Sequence, residues 1–575
     1  MNTVDWIVLL ATLAGIIGYG ASRTKASRNL EGYFLSNREL PWYVVLLSIM
    51  GTQASAVTFL SAPGQAYTDG MRFVQYYFGL PIAMIILCIA FVPIFHRLKL
   101  FTAYEFLEQR FDRKTRLLTS FIFLVSRGLS TGISVYAPSI ILSSLMGWNI
   151  YLTNIVMGGL LIVYTVSGGA RAVAYTQQLQ LAIALLGMFL VGYMAVHLLP
   201  EGVGFGEALE ISGHLGKLNV ITDGMKPDGF DWTDRFNMWS GTIGGLFLAL
   251  SYFGTDQSQV GRYLTARSLR ESRMGLLLNG IVKVPMQFLI LLIGSLILAF
   301  YQFHPTPVFF NEVPIEQMRV TASSDSLQVL EQRHDSLMQA RQSLVAPLPS
   351  KFQSGDVMGR DSILQGLKGL QTAEEKLRSE VKGLIKHSGV GADGSDTNYI
   401  FLRFVLDHMP VGLVGLLIAV IFLAAWGSIA AALNSLASST MVDIHRTFDR
   451  RPENEQREYR TSMWYTFFWG VFCIAVAELV TGMGSLIEAV NVLGSWFYGV
   501  MLGIFGVAFY IRRAGGHAVF LAALLGEAVV IGMYATTDLA WLWLNVVGTV
   551  VVMLTAWILS FVWSKKETGG TEVGV

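Results

Sequence analysis

Residues 424–443 read AAWGSIAAALNSLASSTMVD, a stripe of hydroxyl groups in a segment that is otherwise apolar enough to span a membrane. Ser435 follows Ser428 by seven residues and Ser439 follows Ser435 by four, so the three hydroxyls share one face of a helix. Polar atoms in hydrocarbon are costly unless they are paired or face water. The stripe therefore indicates either a packing seam between membrane helices or one wall of an ion path.

The composition of the whole chain defines its class. Of 575 residues, 53% are hydrophobic and only 14% are charged, whereas a soluble globular chain has about 25% charged residues. We therefore predict an all-α polytopic membrane protein surrounded by lipid. The net charge of +1 gives no sign of nucleic-acid binding. Cys88 and Cys473 lie in apolar runs, so neither a disulfide framework nor a cysteine metal site is predicted.

Thirteen apolar segments approach or exceed the length of about 20 residues that a membrane-spanning helix needs. They lie near 5–21, 43–62, 73–95, 118–146, 150–167, 176–199, 238–256, 275–303, 404–438, 462–480, 486–510, 517–536 and 540–563. Basic residues, from Arg23 to Lys565 and Lys566, fall in alternate loops. The positive-inside rule then places the N-terminus outside and the C-terminus inside the cell. We expect the protein in the plasma membrane, as a bacterial inner-membrane protein.

One polar segment, residues 304–398, falls on the outer side in this topology. Leu330 and Ile363 each begin a series of apolar residues spaced by seven, which predicts two amphipathic helices in an antiparallel hairpin. The chain is thus divided into a first core part, 1–303, the extracytoplasmic insert, 304–398, and a second core part, 399–575. The insert is a docking arm for an extracytoplasmic protein, a lid over the entrance, or a decorated loop without a partner.

Two spans have interiors too polar and glycine-rich for plain helices. The second contains SIMGTQASAVT at 48–58, and the seventh contains SYFGTDQSQ at 251–259. Paired interrupted helices in corresponding halves indicate a transporter binding site near the membrane midplane. With the first span set aside, spans two to six and seven to eleven form two halves of five helices, and an odd number makes the second half inverted. The alternative is that glycine and serine merely ease helix packing.

These segments resemble the sodium/solute symporter family, which has the LeuT-type inverted-repeat fold with an extra N-terminal helix. The resemblance covers spans two to eleven. It rests on TVSGGARAVAYTQQLQ at 165–180, YFGTDQSQVGRYLTA at 252–266, Lys283-Val-Pro285, and the serine-rich segment that ends at Asp443.

The resemblance implies a sodium ion bound by backbone carbonyls and hydroxyl groups. The implied ligands are the carbonyls of Gly51, Ala54 and Ala424 together with positions 427 and 428. Ser428 supplies the expected hydroxyl, but position 427, usually a hydroxyl in the family, is Gly427. In two-sodium members an acidic residue after the glycine pair helps hold the second ion, and this chain has Gln177 there. We therefore expect one coupling ion.

The resemblance places the solute between the two broken helices and spans three, eight and eleven. The candidate contacts are Gln53, Ser55, Thr58, Tyr77, Asp256, Gln257, Lys283 and Asn491. Lys283 lies about two turns into its span, where a charge is costly and usually functional, although a lysine can also extend to the cytoplasmic face. Gln53 and Thr58 could equally bond the backbone that the break leaves free.

Arg127 is a further candidate, reached from the residues themselves. It lies about ten residues into span four, well inside the hydrocarbon at a rise of about 1.5 Å per residue. An unpaired guanidinium at that depth is too costly, so we predict a carboxylate partner. Asp256 is the first choice and a carboxylate of the solute is the second.

The sequence therefore predicts a secondary active transporter, not an enzyme, that couples movement of a small organic solute to sodium by alternating access. Sodium-independent or proton-coupled uptake or exchange is the alternative, because of Gly427 and Gln177. A transporter-like solute sensor is a further alternative, although the tail from Lys565 to Val575 holds no signalling module. The residues do not name the solute.

Overall fold

The fold is built almost entirely from helices. The computed structural model describes residues 1–23, 30–320, 324–388, 396–449, 454–480 and 485–563. Lys565 and Lys566, which contribute to the predicted orientation, and the tail that follows them lie outside the described residues.

The helices follow one another with short connections. The first nine are α1 (Thr3–Arg23), α2 (Leu30–Leu35), α3 (Trp42–Gln53), α4 (Ala56–Asp69), α5 (Leu80–Ala90), α6 (Val92–Leu98), α7 (Ala103–Arg110), α8 (Arg113–Met146) and α9 (Ile150–His197). The next eight are α10 (Phe205–His214), α11 (Gly245–Gly254), α12 (Gln257–Tyr263), α13 (Leu269–Phe303), α14 (Glu312–Met318), α15 (Ser324–Val345), α16 (Leu348–Ser354) and α17 (Val357–His387). The last seven are α18 (Ile400–His408), α19 (Leu413–Ser439), α20 (Arg446–Phe448), α21 (Glu455–Leu479), α22 (Leu486–Tyr510), α23 (Gly516–Thr536) and α24 (Trp541–Leu559).

Smaller elements complete the chain. Short 3₁₀-helices lie at Ser36–Arg38 and Met71–Tyr77, and π-helical turns at Ser240–Gly244 and Thr440–His445. Strands β1 (Met225–Lys226) and β2 (Gly229–Phe230) pair antiparallel, with Met225 opposite Phe230.

Apolar helices account for the predicted membrane spans. Among the residues described, nine helices are long and apolar enough to cross a membrane, and the bent pair α3–α4 raises the number to ten. Three shorter apolar helices, Thr3–Tyr19, Ile150–Val166 and Ser240–Gly254, lie at the positions of the other predicted spans. The chain is therefore a helical, multi-pass membrane protein.

Helix breaks are present at both predicted positions. Helix α3 ends at Gln53 and α4 begins at Ala56, and the two helices are bent by 58°. Helix α11 ends at Gly254 and α12 begins at Gln257. A break frees backbone carbonyls and N–H groups, which must then find other partners or line a cavity.

The prediction that one span begins near residue 404 is wrong. Residues 400–408 form the separate helix α18, and the long span starts only at Leu413. Pro410 lacks a backbone N–H, and Gly412 has a φ of 90°, which lies outside the helical region. These two residues lie between the end of α18 and the start of α19 and interrupt the helix there.

A buried ionic cluster holds the C-terminal end of α19 to α7 and α8. Asp443 accepts hydrogen bonds from Arg116 Nε at 2.9 Å and from Thr102 Oγ1 at 2.7 Å. Ser439 Oγ donates to Asp443 at 2.7 Å and lies 2.8 Å from Ser120 Oγ. The last hydroxyl of the opening stripe therefore serves helix packing.

Helices α15 and α17 of the insert pack against each other. Arg333 of α15 pairs with Glu380 of α17, whereas Leu344 of α15 lies against Gly366 of α17, so these two helices run antiparallel. Leu330, Leu377 and Val381 are buried between them.

The segment that follows the insert docks on two helices of the core. Asp396 pairs with Arg378 of α17 at 3.4 Å, which ties the segment to the insert. The next residue, Thr397, lies with its backbone carbonyl directly over Gly64 of α4. Asn398 Oδ1 then accepts a hydrogen bond from the backbone N–H of Leu486 at 3.3 Å, in the first turn of α22. One strap thus joins the insert, α4 and α22.

We expect Gly64→Ala to separate this strap from α4. An added Cβ would overlap the carbonyl of Thr397, and because that atom belongs to the backbone it cannot rotate away. The free energy of unfolding should fall by about 1–3 kcal/mol, as for other overpacked sites. Thermal unfolding of the purified protein tests this, with Gly159→Ala as the matched control, since no atom lies within 4 Å of a Cβ there. Equal melting temperatures for the two variants would contradict the contact.

Candidate functional site

A cavity of about 110 Å³ lies beside the breaks, between α4, α8, α11, α13 and α22. Seven of the nine predicted solute contacts line it, namely Gln53, Ser55, Thr58, Tyr77, Arg127, Lys283 and Asn491. Tyrosine and phenylalanine rings form much of the remaining wall, from Tyr76, Tyr252, Phe253 and Tyr498. Such a mixture of apolar walls and a few convergent polar groups is typical of small-molecule sites.

The predicted pairing of Arg127 with Asp256 is confirmed. The guanidinium of Arg127, on α8, donates through Nη2 to Asp256 Oδ2. Tyr498, on α22, donates its hydroxyl to the same carboxylate oxygen at 3.1 Å, and its oxygen lies 3.2 Å from Arg127 Nη2. Arg127 exposes 9% of its surface and Asp256 exposes 1%, so the low dielectric strengthens the attraction between them.

Asp256 also fixes the second helix break. Its Oδ1 accepts hydrogen bonds from the backbone N–H of Ser258 at 2.8 Å and from Ser258 Oγ at 2.6 Å, which caps the start of α12. The Asp256 carboxylate therefore has two partners, the N-terminus of α12 and the guanidinium of Arg127. It does not line the cavity itself but holds Arg127 in place at the cavity wall.

Gln257 lies away from the cavity. Its amide donates through Nε2 to the carbonyl of Phe101 at 2.8 Å and accepts through Oε1 from the N–H of Ala103 at 3.0 Å. Both groups of the amide are thus used to bind the start of α7. Gln257 is the one predicted solute contact whose side chain binds only the start of a neighbouring helix.

Polar side chains at the first break serve the backbone and the cavity together. Thr58 Oγ1 donates to the carbonyl of Gln53 at 3.0 Å, so it satisfies a group that the end of α3 leaves free. Gln53 Nε2 donates to Ile49 O at 3.3 Å and to Asn279 Oδ1 of α13 at 3.1 Å. Gln53 and Thr58 therefore do both: each bonds a backbone carbonyl, and each also lines the cavity.

Lys283 points into the cavity rather than out to the surface of the protein. It exposes 1% of its surface, and its Nζ lies 5.5 Å from the centre of the Tyr77 ring. This cation–π contact orients the ammonium group. Asn491 faces the same cavity, but its amide is engaged by Tyr76 OH at 2.9 Å and by the carbonyl of Ile487 at 2.6 Å.

The residues predicted for sodium lie where α3 ends beside α19. The N–H of Ala54 donates to Met50 O at 2.7 Å, so the carbonyls of Gly51 and Ala54 lie where the helical ladder stops. Such C-terminal carbonyls carry partial negative charge. Ser428 Oγ donates to the carbonyl of Ala425 at 3.0 Å, which leaves the lone pairs of the hydroxyl oxygen available to a cation.

Gln177 of α9 is packed between Gly51 and Gly427. A Cβ on Gly51 would lie 2.8 Å from Gln177 Cβ, and a Cβ on Gly427 would lie 2.7 Å from Gln180 Oε1 and 3.3 Å from Gln177 Cγ. The amide of Gln177 donates to the carbonyl of Gly427 at 3.1 Å and accepts from Ser48 Oγ at 3.0 Å. Gly427 is therefore matched to the glutamines: it leaves the space that their side chains fill.

Two residues of the site escaped sequence reasoning, although helix periodicity points to them. Tyr252 lies one turn before Asp256, and its ring centre is 5.3 Å from the Arg127 guanidinium. Tyr498 lies two turns after Asn491, on the same face of α22. Aromatic residues are so common in membrane helices that only their spacing from a polar candidate distinguishes them.

Comparisons with known proteins agree with this geometry. A family model described as the sodium:solute symporter family matches residues 33–333 and 380–526. The chain is 24% identical to a sodium/sialic acid symporter of Aliivibrio fischeri over 565 residues, covering 97% of this chain and 93% of that protein. It is 27% identical to a sodium-dependent multivitamin transporter of Oryctolagus cuniculus over 537 residues, covering 91% of this chain and 69% of that protein.

A solved structure has the same fold. The substrate-bound, outward-open state of a Na⁺-coupled sialic acid symporter aligns with a TM-score of 0.74 and 21% sequence identity, over 98% of this chain and 99% of that one. At this level of identity the alignment establishes the arrangement of the helices.

We expect the Arg127–Asp256 pair to dominate the stability of the site. Asp256→Asn leaves a buried guanidinium without its counter-charge, and loss of one partner of a buried pair costs about 3–5 kcal/mol. Arg127→Gln combined with Asp256→Asn should cost less than the sum of the single changes. Denaturation of the purified variants measures this coupling.

The exposed pair Arg333–Glu380 provides the control for that cycle. The two side chains are 52% and 37% exposed, and such solvent-exposed pairs contribute about 0.2–1 kcal/mol. Strictly additive effects at Arg127 and Asp256, equal to those at the control pair, would contradict a buried, coupled ion pair.

Proposed function

The chain belongs to the sodium:solute symporter family, and we propose that it is a secondary active transporter that moves a small organic solute together with sodium by alternating access. It is a transporter rather than an enzyme. One observation carries the proposal: two broken helices and the helices around them enclose one cavity with convergent polar groups. Broken helices of this kind supply the ion and solute ligands in transporters.

The proposed topology has thirteen membrane helices in the LeuT-type arrangement, with the N-terminus outside and the C-terminus inside. The ten apolar spans and three shorter apolar helices support it, because they fall at the thirteen predicted positions. Spans two to six and seven to eleven then form the inverted repeat, and the first span precedes it. Residues 1–303 and 399–575 form the core, and residues 304–398 the extracytoplasmic insert, which offers a surface for a partner outside the membrane.

Sodium is the coupling ion, and we assign it to the end of α3 and the adjacent turn of α19. The proposed ligands are the carbonyls of Gly51, Ala54 and Ala424 and the hydroxyl of Ser428, with Gly427 next to them. Hard oxygen ligands suit this ion, and the C-terminal carbonyls of a broken helix supply them. Binding of sodium there joins α3 to α19, so it favours one conformation and raises the affinity for the solute in that conformation.

Ser428→Ala removes one proposed ligand and should weaken sodium binding by about tenfold, which corresponds to ~1.4 kcal/mol. The concentration of sodium that gives half-maximal thermal stabilisation, with choline keeping the ionic strength constant, measures the effect. Ser435→Ala is the matched control, because Ser435 lies in the same helix and its hydroxyl also donates to a backbone carbonyl, that of Ala431 at 2.9 Å. If both variants respond to sodium like the unmodified protein, Ser428 is not a ligand.

The solute site comprises Gln53, Ser55, Thr58, Tyr77, Arg127, Lys283 and Asn491, with Asp256 behind Arg127. Relatives carry names that refer to sialic acid, vitamins and monocarboxylates, so a small organic solute is the common element. We place the protein in the plasma membrane, in a bacterial inner membrane, surrounded by lipid.

Sodium-independent uptake or exchange is the second candidate. The observation that favours it is the amide of Gln177, which donates to the carbonyl of Gly427 and fills the space between Gly51 and Gly427. A neutral amide in that place supplies no negative charge to a second ion. With Gly427 also lacking the usual hydroxyl, sodium has fewer ligands here, which favours uptake or exchange without sodium.

Transport in proteoliposomes separates the two candidates. Solutes that stabilise the purified protein in a thermal-shift screen are offered to vesicles in a sodium gradient, and then with sodium replaced by choline. With choline in place of sodium, we expect uptake to fall to the level of vesicles that contain no protein, because the sodium gradient supplies the driving force. Undiminished uptake in choline, driven by solute loaded inside the vesicles, would instead identify an exchanger.

A further inference from the structure

Three side chains that can bind a metal ion meet where helix α10 contacts the insert. Glu210 and His214 lie one turn apart on α10, and Asp361 lies near the start of α17. His214 Nε2 is 4.0 Å from Glu210 Oε1 and 4.0 Å from Asp361 Oδ1. One ligand atom from each residue lies within 4.8 Å of the other two. The cluster shares no residue with the cavity described above.

The imidazole of His214 faces both carboxylates without bonding to either. A separation of 4.0 Å is too long for a hydrogen bond, which ends at about 3.2 Å. Within the described ranges of the chain, no other side chain or carbonyl forms a hydrogen bond with this ring. Two atoms bound to one tetrahedral Zn²⁺ lie about 3.4 Å apart, given bonds of about 2.1 Å. Small rotations of the three side chains therefore bring their ligand atoms to a shared ion.

Arg360 is the cation that already lies beside this cluster. Its Nε is 2.8 Å from Glu210 Oε1 and 3.6 Å from Asp361 Oδ1, and its guanidinium lies 5.7 Å from the centre of the Phe352 ring. One guanidinium and two carboxylates leave a net negative charge next to the neutral imidazole. Each carboxylate has two oxygens with several lone pairs, so Glu210 can keep Arg360 and also bind an ion. Partners of this kind orient the ligands of a metal.

We propose that Glu210, His214 and Asp361 bind a divalent transition-metal ion such as Zn²⁺. An imidazole nitrogen with carboxylate oxygens is a ligand set that suits Zn²⁺, whereas Mg²⁺ and Ca²⁺ take oxygen ligands. The side chains of His214, Glu210 and Asp361 are 43%, 31% and 50% exposed, so water can complete the coordination.

The ion joins two parts of the chain that are far apart in sequence. Helix α10 is attached to the core, because Ser212 Oγ donates to the backbone carbonyl of Ser295 on α13 at 2.8 Å. Helix α17 belongs to the insert, which the strap at residues 396–398 joins to α4 and α22. A bound metal ion therefore adds an attachment between the insert and α13. This site goes beyond the proposed transport function and does not depend on it.

Titration of the purified full chain with Zn²⁺ in lipid nanodiscs tests the proposal. Any affinity tag is removed first, because a histidine tag binds the same ion, and the protein is treated with a chelator. Calorimetry measures the binding and thermal unfolding measures its effect. We expect saturable binding of Zn²⁺ and a rise in melting temperature, since the unfolded chain does not hold the three ligands together. Mg²⁺ and Ca²⁺ should have neither effect.

Three variants decide which residues bind the ion. His214→Ala and Asp361→Asn should each weaken Zn²⁺ binding by about tenfold or more, because even the loss of a residue that only supports a ligand costs about 10–100-fold. His387→Ala is the matched control and should bind Zn²⁺ like the unmodified protein. His387 is also an exposed histidine of α17, but its Nδ1 lies 2.7 Å from the carbonyl of Gly383, outside the cluster.

The variants also separate a bridging site from a local one. Absence of saturable Zn²⁺ binding, or an affinity that His214→Ala leaves unchanged, would overturn the metal site. Weaker binding in His214→Ala with unchanged binding in Asp361→Asn would place the ion on α10 alone and overturn the bridge to the insert. Equal binding of Mg²⁺ would contradict a histidine ligand. Because uptake is not measured, a failure of the proposed transport function leaves these results unaffected.

Discussion

The ion pair between Arg127 and Asp256 is the contact on which the site depends. It joins the middle of α8 to the second helix break, and the hydroxyl of Tyr498 adds α22 to the same carboxylate. Since charges in hydrocarbon cannot be left alone, neither side chain can withdraw without a large cost. Three elements from distant parts of the chain are thus held at one point, and the cavity wall is rigid there.

The two helix breaks differ in how their free backbone groups are satisfied. At the first, Thr58 bonds the carbonyl of Gln53, while the carbonyls of Gly51 and Ala54 lie at the end of the helical ladder. At the second, the carboxylate of Asp256 caps α12 through Ser258. The first break therefore presents oxygen atoms suited to a cation. At the second break, the polar groups are engaged in structural hydrogen bonds. This asymmetry supports the proposal that the ion binds at the first break, whereas the second break gives structural support.

Sequence reasoning located the elements well, because the cost of burying polar groups in lipid leaves few choices. Apolar length predicted the spans, glycine and hydroxyl residues predicted the breaks, and the depth of Arg127 predicted its pairing with Asp256. Local geometry was less accessible. The start of α19 was missed because Pro410 and Gly412 interrupt an unbroken apolar run. The packing of Gln177 between two glycines depends on the approach of three helices, which no single stretch of sequence encodes.

The strap at residues 396–398 attaches the insert to two helices of the core. The backbone of Thr397 lies on Gly64 of α4, and Asn398 bonds the first turn of α22. If α4 and α22 move apart, the insert must therefore move with one of them, or one of these contacts must break. In the proposed alternating-access mechanism, the free energy of that attachment contributes to the free-energy difference between the two conformations. In the proposed mechanism, the insert thereby contributes to the balance between the two conformations without contacting the solute cavity. A binder attached to α15 or α17 would then hinder this proposed conformational change without contacting the solute.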